Sequence, residues 1–375
     1  MISTLPPVAS APFPAVDPVP AAASAASVDP VAEVLAAGRR FGDVIALDDI
    51  SLAVTPGSLV GIIGPSGAGK TTVIRLLTGG LRPTSGTVRV LGENPTRLRA
   101  ETRERIGFMP QNVSLYDDLT VTENLDFVGS LFGMYLPRRR RRIKAILQWL
   151  ELEDARSRRA IHLSGGMRRR LQLGCALIHD PQLVFLDEPT GGIDPIVRRA
   201  IWTELRRLRD AGRTLIVTTQ IVTEAEECDT VALITRGRLV ACATPDALRR
   251  EAFGGELLEV ETSGMVDAEQ LGRLSGIDEV RQVTPRRLVI VARDAASATP
   301  AVVSAVEATG VSVTSIQTTR PSFDEVFVRL VERAARGLPG DVGTGDAMRS
   351  TPTEPGATAG PQPAVAGSGA VEGIA

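Results

Sequence analysis

The chain has 375 residues with a formal net charge of -2 at pH 7, and 43% of its residues are hydrophobic. This length predicts about two domains, and the small net charge gives no general reason to expect binding to nucleic acid. The three cysteines are widely spaced and form no C-x-x-C pair, which argues against a disulfide framework or a cysteine metal site. No apolar run in the sequence reaches the roughly 18 residues that span a bilayer. We therefore expect any role at a membrane to depend on a partner.

The N-terminal segment, residues 1–33, is predicted to be a disordered arm. Its first 30 residues are rich in Ala, Pro, Ser and Val and carry no charged residue except aspartate. No basic residue precedes the apolar portion, so the pattern is a poor match to a signal peptide. Two short strands are then predicted at residues 44–47 and 50–54. Phe41 is expected on an exposed turn before them, either as an ordinary partly buried side chain or as a ring that stacks on a nucleobase.

A glycine-rich loop follows residues 59–63, which predict a buried strand, and leads into residues 72–77, which predict a helix. Its spacing is the G-x-x-x-x-G-K-[ST] of a phosphate-binding loop, formed by Gly64, Pro65, Ser66, Gly67, Ala68, Gly69, Lys70 and Thr71. Glycines let backbone N–H groups surround an anion, and the lysine supplies a mobile positive charge. Because only Lys70 and Lys144 among the 42 basic residues are lysines, chance is a poor explanation for a lysine here. The loop predicts a nucleoside triphosphate site.

Two adjacent carboxylates, Asp187 and Glu188, end the apolar run 183–186, which predicts a buried strand. This arrangement can place Asp187 near Mg²⁺ and leave Glu188 free to orient or deprotonate a water molecule. Taken alone, the pair could equally be a solvated strand end. Because it follows a phosphate-binding loop in the same domain, we favour the hydrolytic interpretation.

A third motif is a Ser-Gly-Gly turn followed by a helix whose first residues are basic. The turn consists of Leu163, Ser164, Gly165, Gly166 and Met167. On physical grounds alone, the turn and the helix N-terminus form a possible anion site.

These motifs occur in a fixed order with two others: Gln111 lies between the loop and the Ser-Gly-Gly turn, and Asp194 follows the acid pair. The order resembles that of the nucleotide-binding subunit of ATP-binding cassette (ABC) transporters, over about residues 34–253. The resemblance implies an α/β fold, namely a P-loop NTPase cassette with a RecA-like core plus antiparallel β and helical subdomains.

The resemblance also implies that two cassettes bind ATP between them. The loop residues and Thr72 of one cassette would hold the phosphates, and Phe41 would stack on the adenine. The other cassette would cap the same nucleotide with Ser164, Gly165 and Gly166. Since this chain carries one cassette, its partner would be a second copy or a paralogous cassette.

Roles in metal binding and catalysis follow from the same resemblance. Mg²⁺ would be held by Thr71 and Asp187 and sensed by Gln111, which would also sense the γ-phosphate. Glu188 would be the catalytic base, and Asp194 would link the two ATP sites across the dimer. The segment after Gln111, residues 113–134, would lie in the helical subdomain that contacts the permease.

Residue 220 departs from the family pattern. A histidine that contacts the γ-phosphate is usual after the strand that follows the acid pair, and Gln220 stands there. Its amide can donate a hydrogen bond but cannot become a cation. We therefore hypothesise that hydrolysis is slowed while ATP binding is retained. The alternative is that glutamine replaces the histidine adequately. His162 and His179 lie elsewhere and are interpreted as incidental.

After residue 253, the order of predicted elements is β-α-β-β-α-β, which indicates a small ferredoxin-like accessory domain over residues 254–334. Helices are predicted at 266–274 and 300–308. Residues 321–327 begin a last helix and resemble the closing segment of the daunorubicin-resistance-like subgroup, which works with separately encoded ABC type-two permeases. Residues 335–375 are predicted to be a disordered tail, because they are rich in Gly, Pro, Ala and Thr.

A run of five arginines invites a functional interpretation. It comprises Arg138, Arg139, Arg140, Arg141 and Arg142. The apolar residues after it favour the exposed first turns of an amphipathic helix over a specific phosphate or lipid site.

Three classes of function compete. The first is an ATPase subunit that drives export of a small drug-like or lipid substrate from the cytoplasmic face of the membrane, through a permease. The second is a soluble ABC ATPase acting on ribosomes or DNA, which the single cassette disfavours; no nucleic acid is expected. The third is a nucleotide-binding switch that barely hydrolyses, which Gln220 alone supports.

Overall fold

The computed structural model describes residues 29–336. Most of the two predicted terminal arms therefore lies outside the described residues. At their inner boundaries the prediction was wrong, because residues 32–33 of the first arm belong to a strand and Ala335 of the second belongs to the last helix. Within the described part of the chain, no helix has both the length and the apolar character that a bilayer-spanning segment needs.

Thirteen strands and ten α-helices form the described part of the chain. The strands are β1 (Ala32–Phe41), β2 (Val44–Val54), β3 (Leu59–Ile63), β4 (Ser85–Val90), β5 (Ile106–Met109), β6 (Leu183–Asp187), β7 (Thr214–Thr219), β8 (Thr230–Thr235), β9 (Arg238–Ala243), β10 (Glu256–Thr262), β11 (Ile277–Thr284), β12 (Arg287–Ala292) and β13 (Val313–Thr319). The helices are α1 (Lys70–Leu77), α2 (Ala100–Glu104), α3 (Val121–Leu131), α4 (Leu136–Trp149), α5 (Gly165–Leu177), α6 (Pro195–Asp210), α7 (Pro245–Phe253), α8 (Ala268–Gly272), α9 (Ala295–Glu307) and α10 (Phe323–Ala335).

The central sheet has six strands in the order β5-β6-β7-β3-β8-β9, and all but β9 are parallel. Every residue of β3, β6 and β7 is buried, as expected for parallel strands covered on both faces. These three strands are neighbours, so their carboxyl ends meet at one edge of the sheet. The phosphate-binding loop, the acid pair and Gln220 follow those three ends, and ligands of open α/β sheets bind at such an edge.

The antiparallel subdomain is a three-stranded sheet in the order β2-β1-β4. The two short strands predicted at 44–47 and 50–54 are in fact one strand, β2, so that prediction was wrong in detail. Asp48 and Asp49 interrupt the apolar pattern, but irregularities in the β1–β2 register let the pairing continue past them. Asp49 has a φ of 54°, and the Asp48 N–H donates to the carbonyl oxygen of Gly237.

The helical subdomain contains α3, α4 and the start of α5. Helix α3 begins with a capping box in which Thr120 and Glu123 each accept a hydrogen bond from the other's backbone N–H. The prediction that the arginine run is exposed was only partly right. Arg142 is buried and donates to the carbonyl oxygens of Leu177 and Ile178, because its position faces the inside of α4 together with the apolar residues.

The accessory sheet has the order β11-β12-β10-β13 with antiparallel pairing throughout, and α8 and α9 connect its strands. This confirms the predicted β-α-β-β-α-β order. Helix α9 begins at Ala295, five residues before the predicted start at Pro300. The reason is the N-cap: the Asp294 carboxylate accepts from the Ser297 N–H, and Pro300 lies inside the helix.

The last helix, α10, packs against α7 and the 3₁₀ turn Val222–Glu227 of the cassette. Phe323, Val326 and Leu330 of α10 are buried in the large apolar core that also contains β3, β6 and β7 residues. The predicted segment 254–334 therefore contains a sheet domain and a helix that completes the cassette.

Candidate ATP site

The phosphate-binding loop turns tightly between β3 and α1. Gly69 has a φ of 108°, in the region that favours glycine. A Cβ atom on Gly64 would lie 2.0 Å from the carbonyl oxygen of Ile234, so only glycine lets the loop pass β8 this closely. In the described part of the chain, no side chain caps the N-terminus of α1, so its first N–H groups are available to an anion.

Lys70 opens α1 and is only 4% exposed. Its Nζ atom donates to the carbonyl oxygens of Gly64 at 2.9 Å and Pro65 at 3.1 Å. The same atom lies 3.6 Å from Oε1 of Glu188. The ammonium is thus held over the loop rather than turned to solvent, which is the place where a phosphate group would meet it.

Three oxygen atoms from three separate segments converge beside the loop. The Thr71 hydroxyl lies 3.3 Å from Oδ1 of Asp187 and 3.5 Å from Oε1 of Gln111. The Thr218 hydroxyl donates to the same Asp187 oxygen at 2.5 Å and so orients the carboxylate. Mg²⁺ prefers oxygen ligands and is bound by one or two carboxylates together with phosphate oxygens. The residues present therefore fit Mg²⁺.

Glu188 follows β6 with a φ of 52°, in the left-handed region. Its N–H donates to both the carbonyl and the hydroxyl oxygen of Thr218, at 3.1 and 3.0 Å. These bonds hold a strained backbone that directs the side chain toward Lys70 and Gln111, whose Nε2 donates to Oε2 of Glu188 at 3.1 Å. The carboxylate is therefore positioned at the loop, where a general base for water would be needed.

The Ser-Gly-Gly turn caps α5. The Ser164 hydroxyl accepts from the Met167 N–H at 3.3 Å, and Ser164 and Gly165 are exposed. Within residues 29–336, neither the loop nor the acid pair forms a hydrogen bond with Ser164, Gly165 or Gly166. The structure thus leaves this turn at the surface.

Three further predicted residues lie outside the converging group. The Asp194 carboxylate caps α6 by accepting from the N–H groups of Ile196 and Val197 at 3.1 and 3.0 Å. Phe41 is 44% exposed, and the Arg39 guanidinium lies 4.5 Å from its ring centre. Gln220 follows β7 and is exposed, and its side chain has no hydrogen-bond partner within residues 29–336.

Two residues at this site were not identified from the sequence. Thr218 orients both Asp187 and Glu188. The sequence could have indicated this residue, because it stands one position before the end of β7, the strand next to the acid pair. Arg169 is buried and contacts the backbone of both Gln111 and Glu188. Nothing in a run of three arginines distinguishes it from its neighbours.

Comparison with known proteins assigns both parts of the chain. Residues 47–191 match the family described as ABC transporter. Residues 244–331 match the family described as ATP-binding protein DrrA1-3-like, C-terminal domain. Together the two matches cover the phosphate-binding loop, the acid pair and the accessory sheet.

Individual relatives agree with this assignment. The chain is 37% identical over 299 residues to the daunorubicin resistance ATP-binding protein DrrA3 of Streptomyces coeruleorubidus, covering 78% of this chain and 93% of that protein. It is 41% identical over 234 residues to the Nod factor export ATP-binding protein I of Sinorhizobium fredii, covering 62% of this chain and 68% of that protein.

Solved structures of cassettes share the fold. An ATP-binding subunit of an ABC transporter superposes with a TM-score of 0.55 at 28% identity, covering 59% of this chain and 92% of that one. A dimeric cassette in a post-hydrolysis state with ADP and phosphate gives a TM-score of 0.53 at 25% identity, covering 57% and 98%. The chain belongs to the ATP-binding subunits of ABC transporters, in their daunorubicin-resistance-like branch, and is an ATPase of that family.

Proposed function

We propose that this chain drives export of a small drug-like or lipid substrate by coupling ATP-dependent closure of a cassette dimer to a separate ABC type-two permease. The observation that carries the proposal is the convergence of Lys70, Thr71, Gln111, Asp187 and Glu188 at one edge of the central sheet. A phosphate-binding cation, metal-binding oxygens and a carboxylate base are the components that phosphoryl transfer to water requires.

The residue roles follow from these contacts. The phosphates would be bound by the first N–H groups of α1 and by Lys70, which would exchange its bonds to the Gly64 and Pro65 carbonyl oxygens for bonds to phosphate. Thr71 and Asp187 would hold Mg²⁺, whose chemistry is to neutralise charge on the phosphate oxygens. Gln111 would contact the metal and orient the attacking water, and Glu188 would accept its proton.

A second cassette would complete the site. Ser164 and Gly165 are exposed at the N-terminus of α5, where backbone N–H groups can bind a phosphate. They form no hydrogen bond with the loop of their own chain, so the partner of this turn would be the nucleotide of another cassette. A second copy of the chain or a paralogous cassette fits this requirement, with Asp194 near the contact and Phe41 at the adenine.

Export and the membrane location are supported by the relatives. The similar proteins are named for daunorubicin resistance and Nod factor export. We infer that the chain acts at the cytoplasmic face of the membrane, through contact between its helical subdomain and the permease. The accessory sheet belongs to the type found in the daunorubicin-resistance-like branch.

The test is Mg²⁺-dependent ATP hydrolysis by the purified chain, compared with Glu188→Gln and measured over a range of protein concentrations. A rate that rises faster than linearly with concentration is expected for a chain that pairs with itself. Full activity at concentrations at which gel filtration with ATP shows only monomer would contradict the dimer. Co-sedimentation with membranes when the permease is co-expressed, and not with ribosomes, is expected as well.

Gln220 supports a second candidate, an ATP-binding switch with very slow turnover. Its amide is exposed beside the carboxyl end of β7 and cannot supply the positive charge of an imidazolium. In that case ATP would bind and close the dimer, and hydrolysis would wait for a partner. The Gln220→His variant separates the two candidates.

A further inference from the structure

Arg169 lies on α5, five residues after Ser164, and is 6% exposed. Its Nη1 group donates to the carbonyl oxygen of Gln111, and its Nη2 group donates to the carbonyl oxygens of Asp187, at 3.0 Å, and of Glu188. One guanidinium therefore contacts the backbone of two separate segments, each of which carries a side chain of the proposed hydrolytic machinery.

The way in which this charge is buried is unusual. Among residues 29–336, Arg169 forms no ion pair with a carboxylate; its contacts are carbonyl oxygens and the Oε1 atom of Gln172, at 3.3 Å. Burial lowers the pKa of Arg169, and the charges of Glu188 and Asp187 oppose that shift. A buried cation without a paired carboxylate is costly, so its presence calls for a role that a neutral side chain could not fill.

Helix α5 holds the Gln111 segment by a second side chain as well. The Gln172 amide donates to the carbonyl oxygens of Pro110, at 2.9 Å, and Asn112, at 2.8 Å. Gln172 thus contacts the residues on either side of Gln111, while Arg169 spans from Gln111 to the acid pair. A planar guanidinium is suited to this because its N–H groups diverge at fixed angles toward several acceptors.

We propose that Arg169 is a positioning residue of ATP hydrolysis, which sets the backbone of Gln111 and Glu188 relative to each other and to helix α5. It touches neither nucleotide nor metal in this role and acts through the two side chains that do. The inference rests on the proposed function, since it requires Glu188 to be the base.

The same geometry suggests how the two halves of a dimer communicate. Helix α5 starts at Ser164, which we place on the nucleotide of the partner, and Arg169 joins that helix to the chain's own hydrolytic residues. A shift of α5 on closure would therefore move the carbonyl groups of Gln111 and Glu188.

The neighbouring arginines provide matched controls. Arg168 forms an ion pair with Asp117 at 2.6 Å and donates to the carbonyl oxygen of Ala160. Arg170 donates to the carbonyl oxygen of Leu150 at 2.7 Å. Both lie on the same helix and contact segments outside the site, so changing them tests the loss of an arginine from α5 in general.

The first measurement compares Arg169→Gln and Arg169→Lys with Arg168→Gln and Arg170→Gln. For the Arg169 variants we expect kcat to fall about 10- to 100-fold, because small displacements of catalytic groups have effects of that size. KM and the dissociation constant for ATP should stay within about threefold of native, because Lys70 and the α1 N-terminus are untouched. Arg169→Lys keeps the positive charge but lacks the planar guanidinium, so its kcat should be little higher than that of Arg169→Gln.

The second measurement combines Arg169→Gln with Glu188→Gln in single-turnover reactions. If Arg169 acts in part through Glu188, the loss of rate in the double variant should be smaller than the product of the two single losses. Losses that multiply, an unchanged kcat, or a parallel loss of ATP affinity would each overturn the inference. If Arg169→Gln fails to fold, Arg169→Lys is combined with Glu188→Gln instead, and the same comparison of rates is made.

The controls separate this inference from the proposed function. If Glu188→Gln keeps turnover, the assignment of the base is wrong, and the role of Arg169 is overturned with it. If Glu188→Gln is inactive while both Arg169 variants hydrolyse ATP at the native rate, the role of Arg169 alone is overturned.

Discussion

The Nζ atom of Lys70 lies 3.6 Å from Oε1 of Glu188, although the two residues are separated by most of the cassette sequence. We place the first on the phosphates of ATP and the second on the water that attacks them. Their proximity arises because β3 and β6 end at the same edge of the sheet with only β7 between them. The order of the strands in the sheet therefore brings Lys70 and Glu188 close together.

Glu188→Gln should lower kcat at least 100-fold, because general base catalysis commonly contributes 10²- to 10⁴-fold. ATP affinity should be retained, since the amide keeps one oxygen near Lys70 and leaves the loop intact. Rates at saturating ATP and a fluorescence binding titration measure the two quantities. Glu101→Gln, at an exposed position in α2, serves as the control. Equal loss of binding and turnover would contradict the role of Glu188 as base.

Gln220→His tests whether glutamine slows the native site. An imidazole can become cationic near its ordinary pKa of about 6.5, so we expect the variant to hydrolyse ATP faster and to gain a pH dependence in kcat around that value. The native chain should lack this titration. His179 cannot supply it, because burial lowers its pKa to about 4. Kinetics between pH 5.5 and 8 provide the measurement; an unchanged rate and pH profile would show that glutamine serves adequately.

Phe323→Ala should lower the free energy of unfolding of the cassette by about 3–5 kcal/mol, the usual effect of removing a buried aromatic ring. Phe323 is 0% exposed and lies in the core shared with β3 and β6. Urea unfolding followed by circular dichroism measures the change. Val328→Ala, on the exposed side of the same helix, should cost less than about 0.5 kcal/mol. A small effect at Phe323 would mean that α10 is dispensable for the cassette.

Glu204→Gln should stabilise the protein more at pH 8 than at pH 5. Burial raises the pKa of Glu204 above its ordinary 4.5, an effect that Arg207 partly opposes. The folded state therefore favours the protonated acid, so the ionised carboxylate destabilises the fold above its folded pKa, and this penalty disappears as the pH falls below 4.5. Among residues 29–336, the Oε2 atom of Glu204 has no hydrogen-bond partner. Its Oε1 atom accepts from Arg207, a bond that glutamine can preserve.

Urea unfolding of Glu204→Gln at both pH values measures this difference. Glu307→Gln, at an exposed position on α9, is the control and should change little at either pH. The same gain at pH 5 and pH 8 would contradict the explanation by ionisation.

Much of the site could be predicted from sequence because each motif reports a local requirement. The glycines of the loop, the lysine and the acid pair must occupy fixed places on a strand end or a helix start, and the structure has them there. Gly64 is an example: its backbone lies so close to the carbonyl oxygen of Ile234 that no residue with a Cβ atom fits. The β-α-β-β-α-β order of the accessory domain was predictable for a similar reason, since short runs that contain apolar residues mark its strands.

What could not be predicted depends on contacts between distant segments. The start of α9 was predicted at Pro300 because a proline commonly occupies the first turn of a helix. In the structure, Asp294 is the N-cap and the helix begins five residues before that proline. The amphipathic pattern of α10 predicts a buried face but does not say which core receives it. Arg169 differs from Arg168 and Arg170 only in the direction of its side chain, which depends on the packing of α5 against β5 and α3.

The position of α10 has a consequence for biosynthesis. A ribosome delivers the chain from the N-terminus, so the phosphate-binding loop and the acid pair emerge long before Phe323, Val326 and Leu330, which fill part of the same core. Until translation has passed the accessory sheet, the nascent cassette would expose the apolar surface that α10 later covers. Such surface attracts chaperones or other unfinished chains. Premature termination before residue 323 would therefore yield an aggregation-prone protein despite a complete set of ATP-binding motifs.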